Sequence, residues 1–272
     1  MEQLKNIYIC FPGGKHKVLT MSYDDGREED RRLIGIMNRY GIKGTFHLNS
    51  GLAQGEMRDR RRILPEEWKI LYNGHEVSCH TVTHPTLGRC PIEHTALQIL
   101  EDRKYLERVV GYPVRGLSYP NGSNTDEIAA LLPGLGVEYS RVVETTGDFQ
   151  MPDDFYRWKG TCHHNQALLK RAKEFLDLHK TQYLYMMYVW GHSYEFTEDG
   201  NWELIEEFCR LMGQQQDIWY ATNIEIVDYM KCAGMLKFTV DGNKVYNMSS
   251  KEVWLSVDGK MTAVKSGEML EI

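Results

Sequence analysis

Val18-Leu19-Thr20-Met21-Ser22-Tyr23-Asp24-Asp25-Gly26 is the stretch on which the fold turns. An apolar-rich run that ends in acid and glycine reads as a buried strand stopping at a turn. Runs of the same kind recur at residues 44–48, 76–79, 116–119, 138–143, 183–190 and 218–221. Helix-period segments lie between them. The first carries Leu33, Met37 and Tyr40 on one face and stops at Gly41. The next opens at Pro65, a good first helical position, and stops at Gly74. A longer one carries Leu97, Leu100 and Leu106 and stops at Gly111. Others span about 126–132, 166–179, 201–215 and 223–231, the last with Thr222 as N-cap. Strand–helix alternation predicts a parallel sheet with helices outside. Strands of this number suit an open doubly wound sheet or a closed barrel, and in both the chemistry gathers at the C-terminal strand ends.

Composition sets the outer bounds. A chain of 272 residues, 42% hydrophobic and 26% charged, holds one or two domains and buries a core without disulfides. The net charge of −6 argues against a nucleic-acid partner, which needs a clustered basic surface. The one basic cluster, Arg58-Asp59-Arg60-Arg61-Arg62, reads as a solvated face. No apolar run approaches the length of a membrane span. The opening residues include Glu2, Gln3, Lys5 and Asn6 and do not lead into a secretory apolar run, so the expectation is a cytoplasmic chain. The six cysteines are widely spaced and lack a Cys-x-x-Cys, which reads as reduced core thiols. A homo-oligomer is left open.

The grammar changes after about residue 233. Asp241-Gly242 and Asp258-Gly259 each separate two alternating segments, a strong hairpin signal. The division is therefore a (β/α) unit over residues 1–232 and a small antiparallel β appendage over 233–272.

Four segments stand at the ends of expected strands. Asp24-Asp25-Gly26 places two carboxylates side by side, and a turn at Gly26 would bring both into one pocket. His80-Thr81-Val82-Thr83-His84 spaces two imidazoles to converge if the segment makes one helical turn. Two His and one carboxylate are a plausible zinc shell with positions left open. Ser118-Tyr119-Pro120-Asn121-Gly122 is a strand end with a tight turn, and Trp190-Gly191-His192 a strand end with a histidine. Each alone has a bland reading as turn or core; the case is their coincidence at one end of one sheet.

This ordered set resembles the polysaccharide deacetylases, carbohydrate esterase family 4, over about residues 17–230. The resemblance implies a distorted (β/α) barrel of about seven strands, a divalent metal (usually zinc) and removal of acetyl groups from N- or O-acetylated sugars. By position it implies Asp25, His80 and His84 as metal ligands, Asp24 as general base and His192 as general acid. It implies the Asn121 backbone N–H as an oxyanion donor, with Tyr119 beside it. The arginine that members carry just before the Pro of the third motif has no counterpart at Ser118; Arg115 lies further upstream. The family's Asp- and Trp-containing fourth motif is loosely echoed by residues 153–158. Trp158 and Tyr194 are candidates for stacking on a sugar ring. Of His163 and His164 only one can face the site from an extended segment, and His164 is assigned to it. His47, near the second strand's end, is a weaker candidate, and His75, His94 and His179 read as structural or surface residues.

The chemistry fits independently. A metal lowers the pKa of water and polarises a carbonyl, an unligated carboxylate takes a proton, donors hold the oxyanion, and an acid protonates the leaving amine. Two other readings compete: a hydrolase of a non-peptide C–N bond in a small amide, and a non-catalytic carbohydrate-binding protein on the same barrel.

Overall fold

The computed structural model describes residues 4–272; Glu2 and Gln3 lie outside the described residues. A short strand β1 (Ile7–Cys10) precedes the long strand β2 (Lys17–Asp24). Then α1 (Asp30–Arg39), β3 (Thr45–Leu48), α2 (Pro65–Leu71), β4 (Glu76–Cys79), α3 (Ile92–Val110), β5 (Gly116–Ser118), α4 (Asp126–Leu131) and β6 (Tyr139–Thr145) alternate. Two strands that the sequence reading did not include follow, β7 (Trp158–Gly160) and β8 (Cys162–His163). Next come α5 (Leu168–Leu176), β9 (Tyr185–His192), α6 (Glu195–Glu198), α7 (Trp202–Met212), β10 (Ile218–Tyr220) and α8 (Asn223–Gly234). The chain ends in β11 (Leu236–Phe238), β12 (Lys244–Asn247), β13 (Val253–Val257), β14 (Lys260–Val264) and β15 (Met269–Glu271).

The main sheet is parallel throughout, in the order β7-β6-β5-β4-β3-β2-β9-β8, with β10 also on β2. β10 pairs with residues 17–19 of β2 and β3 with residues 22–24, so the two share one edge of that strand. The two ends of the sheet meet in a single extended segment: β7 pairs with β6, and β8, one residue on, pairs with β9. That segment, residues 158–163, closes the sheet into a distorted barrel. It was not legible as strand because each half is only two or three residues long.

Along β2 the alternation decides what faces where. Leu19, Met21 and Tyr23 join the apolar layer under α1, α3 and α7. Thr20, Ser22 and Asp24 turn to the other face and hydrogen-bond with Asn223, with Tyr188 of the neighbouring β9, and with Arg141. The barrel interior is therefore polar and hydrogen-bonded. Glu76, for example, accepts from Thr45 Oγ1 (2.9 Å) and Tyr139 Oη (2.8 Å).

The helix boundaries follow local chemistry. Gly111 ends α3 at φ 84°, a left-handed position that glycine takes without a Cβ clash. Thr222 and Glu225 form a reciprocal capping box at α8. On α3 the expected face is corrected: Leu97 and Leu100 are 55% and 41% exposed, whereas Ile99, Leu106 and Val110 face the core. Both Asp-Gly hairpins form as antiparallel pairs, β11 with β12 and β13 with β14. Asp258 and Gly259 both take positive φ (49° and 84°), as a tight turn between twisted strands requires. The appendage does not stand alone. N-terminal β1 pairs with β13, and Val245, Val253, Leu255 and Val264 share one apolar cluster with α8 and with Trp158 and Tyr188 of the barrel.

Candidate active site

Four strand ends build one polar pocket. β2 delivers Asp24 and Asp25, and the turn starts one residue earlier than expected: Asp25 itself has φ 83° and Gly26 φ 61°. The reversal lets neighbouring carboxylates share one side of the sheet. His80 and His84 converge without a helical turn. The segment after β4 is irregular, with positive φ at Thr81 (67°) and His84 (57°), and the two rings lie 4.7 Å apart, edge to face. Asn121 has φ 58°. Among the described residues seven non-glycine positions have positive φ, and four of them are Asp25, Thr81, His84 and Asn121. Backbone strain of this kind, of order 1–3 kcal/mol each, concentrates where side chains must be aimed.

Asp25, His80 and His84 bring ligand atoms to within 4.8 Å of one another. The surroundings fit a divalent cation. His80 Nδ1–H donates to the Ser118 carbonyl (2.8 Å), which leaves the Nε2 lone pair turned toward the carboxylates, 3.7 Å from Asp24 Oδ2. Burial pushes His80 down to about 4, against the opposing pull of Asp24, so the ring is neutral near pH 7. Arg62 binds both the carbonyl and the carboxylate of Asp25, fixing the latter's orientation (Nη2–Oδ1 3.1 Å). Burial opposes ionisation of Asp25, but His80, Arg62 and His192 hold its carboxyl below the ordinary range. Asp102 on α3 accepts from the backbone N–H of His80 (3.1 Å) and of Ser50 (2.7 Å), anchoring the loop.

Asp24 lies beside this donor set with different partners. Its Oδ2 accepts from Arg141 Nη2 and from Ser118 Oγ (3.0 Å), and its Oδ1 lies 3.0 Å from His47 Nδ1. Burial would raise its pKa; Arg141, His80 and His47 outweigh that and hold it well below the usual carboxylate value. Two arginines escaped the sequence reading: Arg62, read there as part of a solvated face, is 6% exposed and bound to Asp25, and Arg141 is not singled out there at all. Arg141 is 1% exposed on β6 and makes the guanidinium contact with Asp24. Arg115, upstream of β5, instead pairs with Asp228 (2.7 and 2.9 Å) and Glu138 (3.0 Å) at the opposite end of the barrel. The available signal was a guanidinium in the middle of an expected strand, next to Val142 and Val143. His47 is fully buried against Asp24.

His192 ends β9, in register with Asp24 of β2. Its backbone N–H donates to Glu195 Oε2 (2.9 Å), and its Nδ1 is 3.4 Å from the same oxygen. Burial lowers its pKa, but Glu195, Asp24 and Asp25 outweigh this and raise it above the ordinary histidine value. Tyr194 sits at the rim, 5.2 Å from the His192 ring and covered by the Arg27 guanidinium at 5.0 Å.

Three expected contacts are corrected. Trp158 is fully buried in the barrel, packed on Tyr139, Phe155 and Tyr188, and is not available for stacking on a sugar. The side chain of Tyr119 is 1% exposed and its hydroxyl donates to the Tyr156 carbonyl (2.9 Å), so it offers nothing to a ligand. His164 is fully buried behind His192, between Tyr23 and Phe196, and does not line the pocket of Asp24 and Asp25.

Residues 12–140, which hold the first three of the four segments, match the family described as polysaccharide deacetylase, so the resemblance is borne out. Among curated relatives, a chitooligosaccharide deacetylase of Sinorhizobium fredii is 23% identical over 133 residues, covering 48% of this chain and 54% of that protein. A peptidoglycan-N-acetylglucosamine deacetylase of Bacillus cereus is 25% identical over 116 residues, covering 42% of this chain and 40% of that one. The chain thus spans about half or less of the length of these relatives. Among solved structures, a polysaccharide deacetylase described as putative from Mycobacterium smegmatis aligns at TM-score 0.60 and 16% identity, over 86% of this chain and 96% of that one. That likeness extends the shared fold beyond residues 12–140, to most of the barrel.

Proposed function

We propose that the chain is a metal-dependent hydrolase that removes acetyl groups from acetylated saccharides. One observation carries this reading: a two-histidine, one-aspartate donor set lies beside a second aspartate that belongs to a separate hydrogen-bond network. Asp25, His80 and His84 would hold the ion. A divalent cation bound there would supply Lewis acidity to a water and to the acetyl carbonyl.

The chain's own residues supply the remaining steps. Asp24, ionised and clamped by Arg141 and Ser118, takes the proton of the attacking water at its carboxylate. The Asn121 N–H, in the turn after Pro120, is the oxyanion donor. His192, whose pKa is raised, gives its proton to the leaving amine or alcohol. Tyr194 borders the entry. The named relatives act on chitooligosaccharide and peptidoglycan, which favours N-acetylated amino sugars as the substrate class. Zinc suits the donor set. Retention of both Asp24 and His192 argues against a purely carbohydrate-binding role, because binding alone needs neither.

The test is acetate release from acetylated chito-oligosaccharides by the purified chain. Release should vanish with chelator and return with Zn²⁺ or Co²⁺. Full turnover of the chelated protein would contradict the reading, as would saccharide binding without release across N- and O-acetylated panels.

A further inference from the structure

Behind His192 lies a second group of ligand-type side chains, of which the deacetylase mechanism uses only Glu195, through its contact with His192. β8 ends in His163, His164 follows, and α6 opens with Glu195. One nitrogen from each imidazole and one oxygen from the carboxylate lie within 4.8 Å of one another. The distances to Glu195 Oε2 are 3.1 Å from His163 Nε2 and 3.3 Å from His164 Nε2. Bonds of about 2.0–2.2 Å to a tetrahedral ion set ligand atoms about 3.3–3.6 Å apart, and these separations lie at or just below that range.

The cluster is built into the fold. His164 is fully buried, its ring stacked 4.1 Å from Phe196 and 5.8 Å from Tyr23. Trp190 meets His163 edge-on at 4.6 Å. Gly191 leaves the necessary space: a Cβ there would stand 2.1 Å from His164 Nδ1. Neither nitrogen of His164 has a hydrogen-bond partner. A buried polar group left in that state costs about 1–3 kcal/mol. A cation shared with His163 and Glu195 would employ the orphaned nitrogen.

We propose that His163, His164 and Glu195 form a second metal centre, separate from Asp25, His80 and His84. Two imidazoles and one carboxylate select a borderline divalent ion, zinc above all, with a fourth position left for water. The ion would tie the β8 segment to the turn that carries His192, whose N–H already binds Glu195. The competing arrangement has no metal. His163 then donates from Nε2 to Glu195, with the Asn165 N–H 3.2 Å from its Nδ1, and His164 stays unpaired. Ligation moves the His163 proton to Nδ1 and gives up that 3.2 Å contact.

The inference does not rest on deacetylase activity, and its test reads metal directly. The chelated full-length chain is titrated with Zn²⁺ alone, and bound metal is counted after gel filtration. Two equivalents are expected. His163→Ala and Glu195→Ala should each lose one equivalent and keep the other, whereas His84→Ala should lose the one that those variants keep. Anomalous diffraction from the zinc-loaded natural chain needs no variant and should give a peak among His163, His164 and Glu195. No peak there overturns the proposal. So does a single equivalent that disappears in His84→Ala and survives in Glu195→Ala. No zinc bound at all overturns this centre and the Asp25 centre together.

Discussion

Two arginine–aspartate pairs stand at opposite ends of the barrel, and they do different work. Arg141 and Asp24 meet in the lumen with side chains 1% and 3% exposed. Arg115 and Asp228 meet near the lower rim with side chains 30% and 24% exposed, in a network with Glu138, Lys231 and Lys251. The lower pair is the better formed, bidentate and surrounded by further charges, yet water screens it. The upper pair is buried, so Asp24 relies on Arg141 together with Ser118, His47 and His80 rather than on solvent. Under the proposed function, burial decides which pair matters to the reaction: a solvated pair tolerates loss, whereas a buried one helps fix the ionisation of a carboxylate beside the donor set.

The largest contrast should come from the two aspartates. Asp24→Asn is expected to lower kcat by about 10²–10⁴-fold while metal content stays unchanged, because a proton acceptor is lost and the ligands are spared. Asp228→Asn should leave kcat within about twofold. Steady-state kinetics alongside metal analysis reads both. Comparable losses in the two variants would dissolve the distinction.

Next come the arginines. Arg141→Met strands a buried carboxylate and should destabilise the fold by about 3–5 kcal/mol. Arg115→Met should cost no more than about 1 kcal/mol. Urea denaturation compares them, and an equal cost would mean that burial does not set the two pairs apart.

The smallest effect tests burial away from both pairs. His75 accepts the Gly44 N–H at Nδ1 (3.0 Å), and burial pushes its pKa down to about 4. The folded chain holds it neutral while the unfolded chain protonates it near 6.5, so stability is intact above about pH 6.5 and falls as the pH drops toward 4. This group's share approaches about 3 kcal/mol at the acid end. His75→Gln should flatten that slope in denaturation curves taken between pH 7 and 4.

The sequence carried most of the barrel because strand and helix periods are local. The ends of β2, β4 and β9, with Asp24, Asp25, His80, His84 and His192, were legible since each sits where a run of apolar residues stops. What was hidden depends on closure. Residues 158–163 form strand only because β6 and β9 await them on either side. The same closure buries Trp158 and turns Arg141 inward. The convergence of His80 and His84 was legible as spacing, but the route, through left-handed Thr81 and His84, was not. Glycine usually signals such conformations, and here both are taken by side-chain-bearing residues.

Calorimetric titration of the chelated chain with Zn²⁺, set beside Asp24→Asn and His80→Ala, probes the central arrangement most directly. The natural chain and Asp24→Asn should bind at the upper site with similar affinity, and His80→Ala should lose that equivalent. Abolition of that binding by Asp24→Asn, or its survival in His80→Ala, would contradict the division between ligand and base.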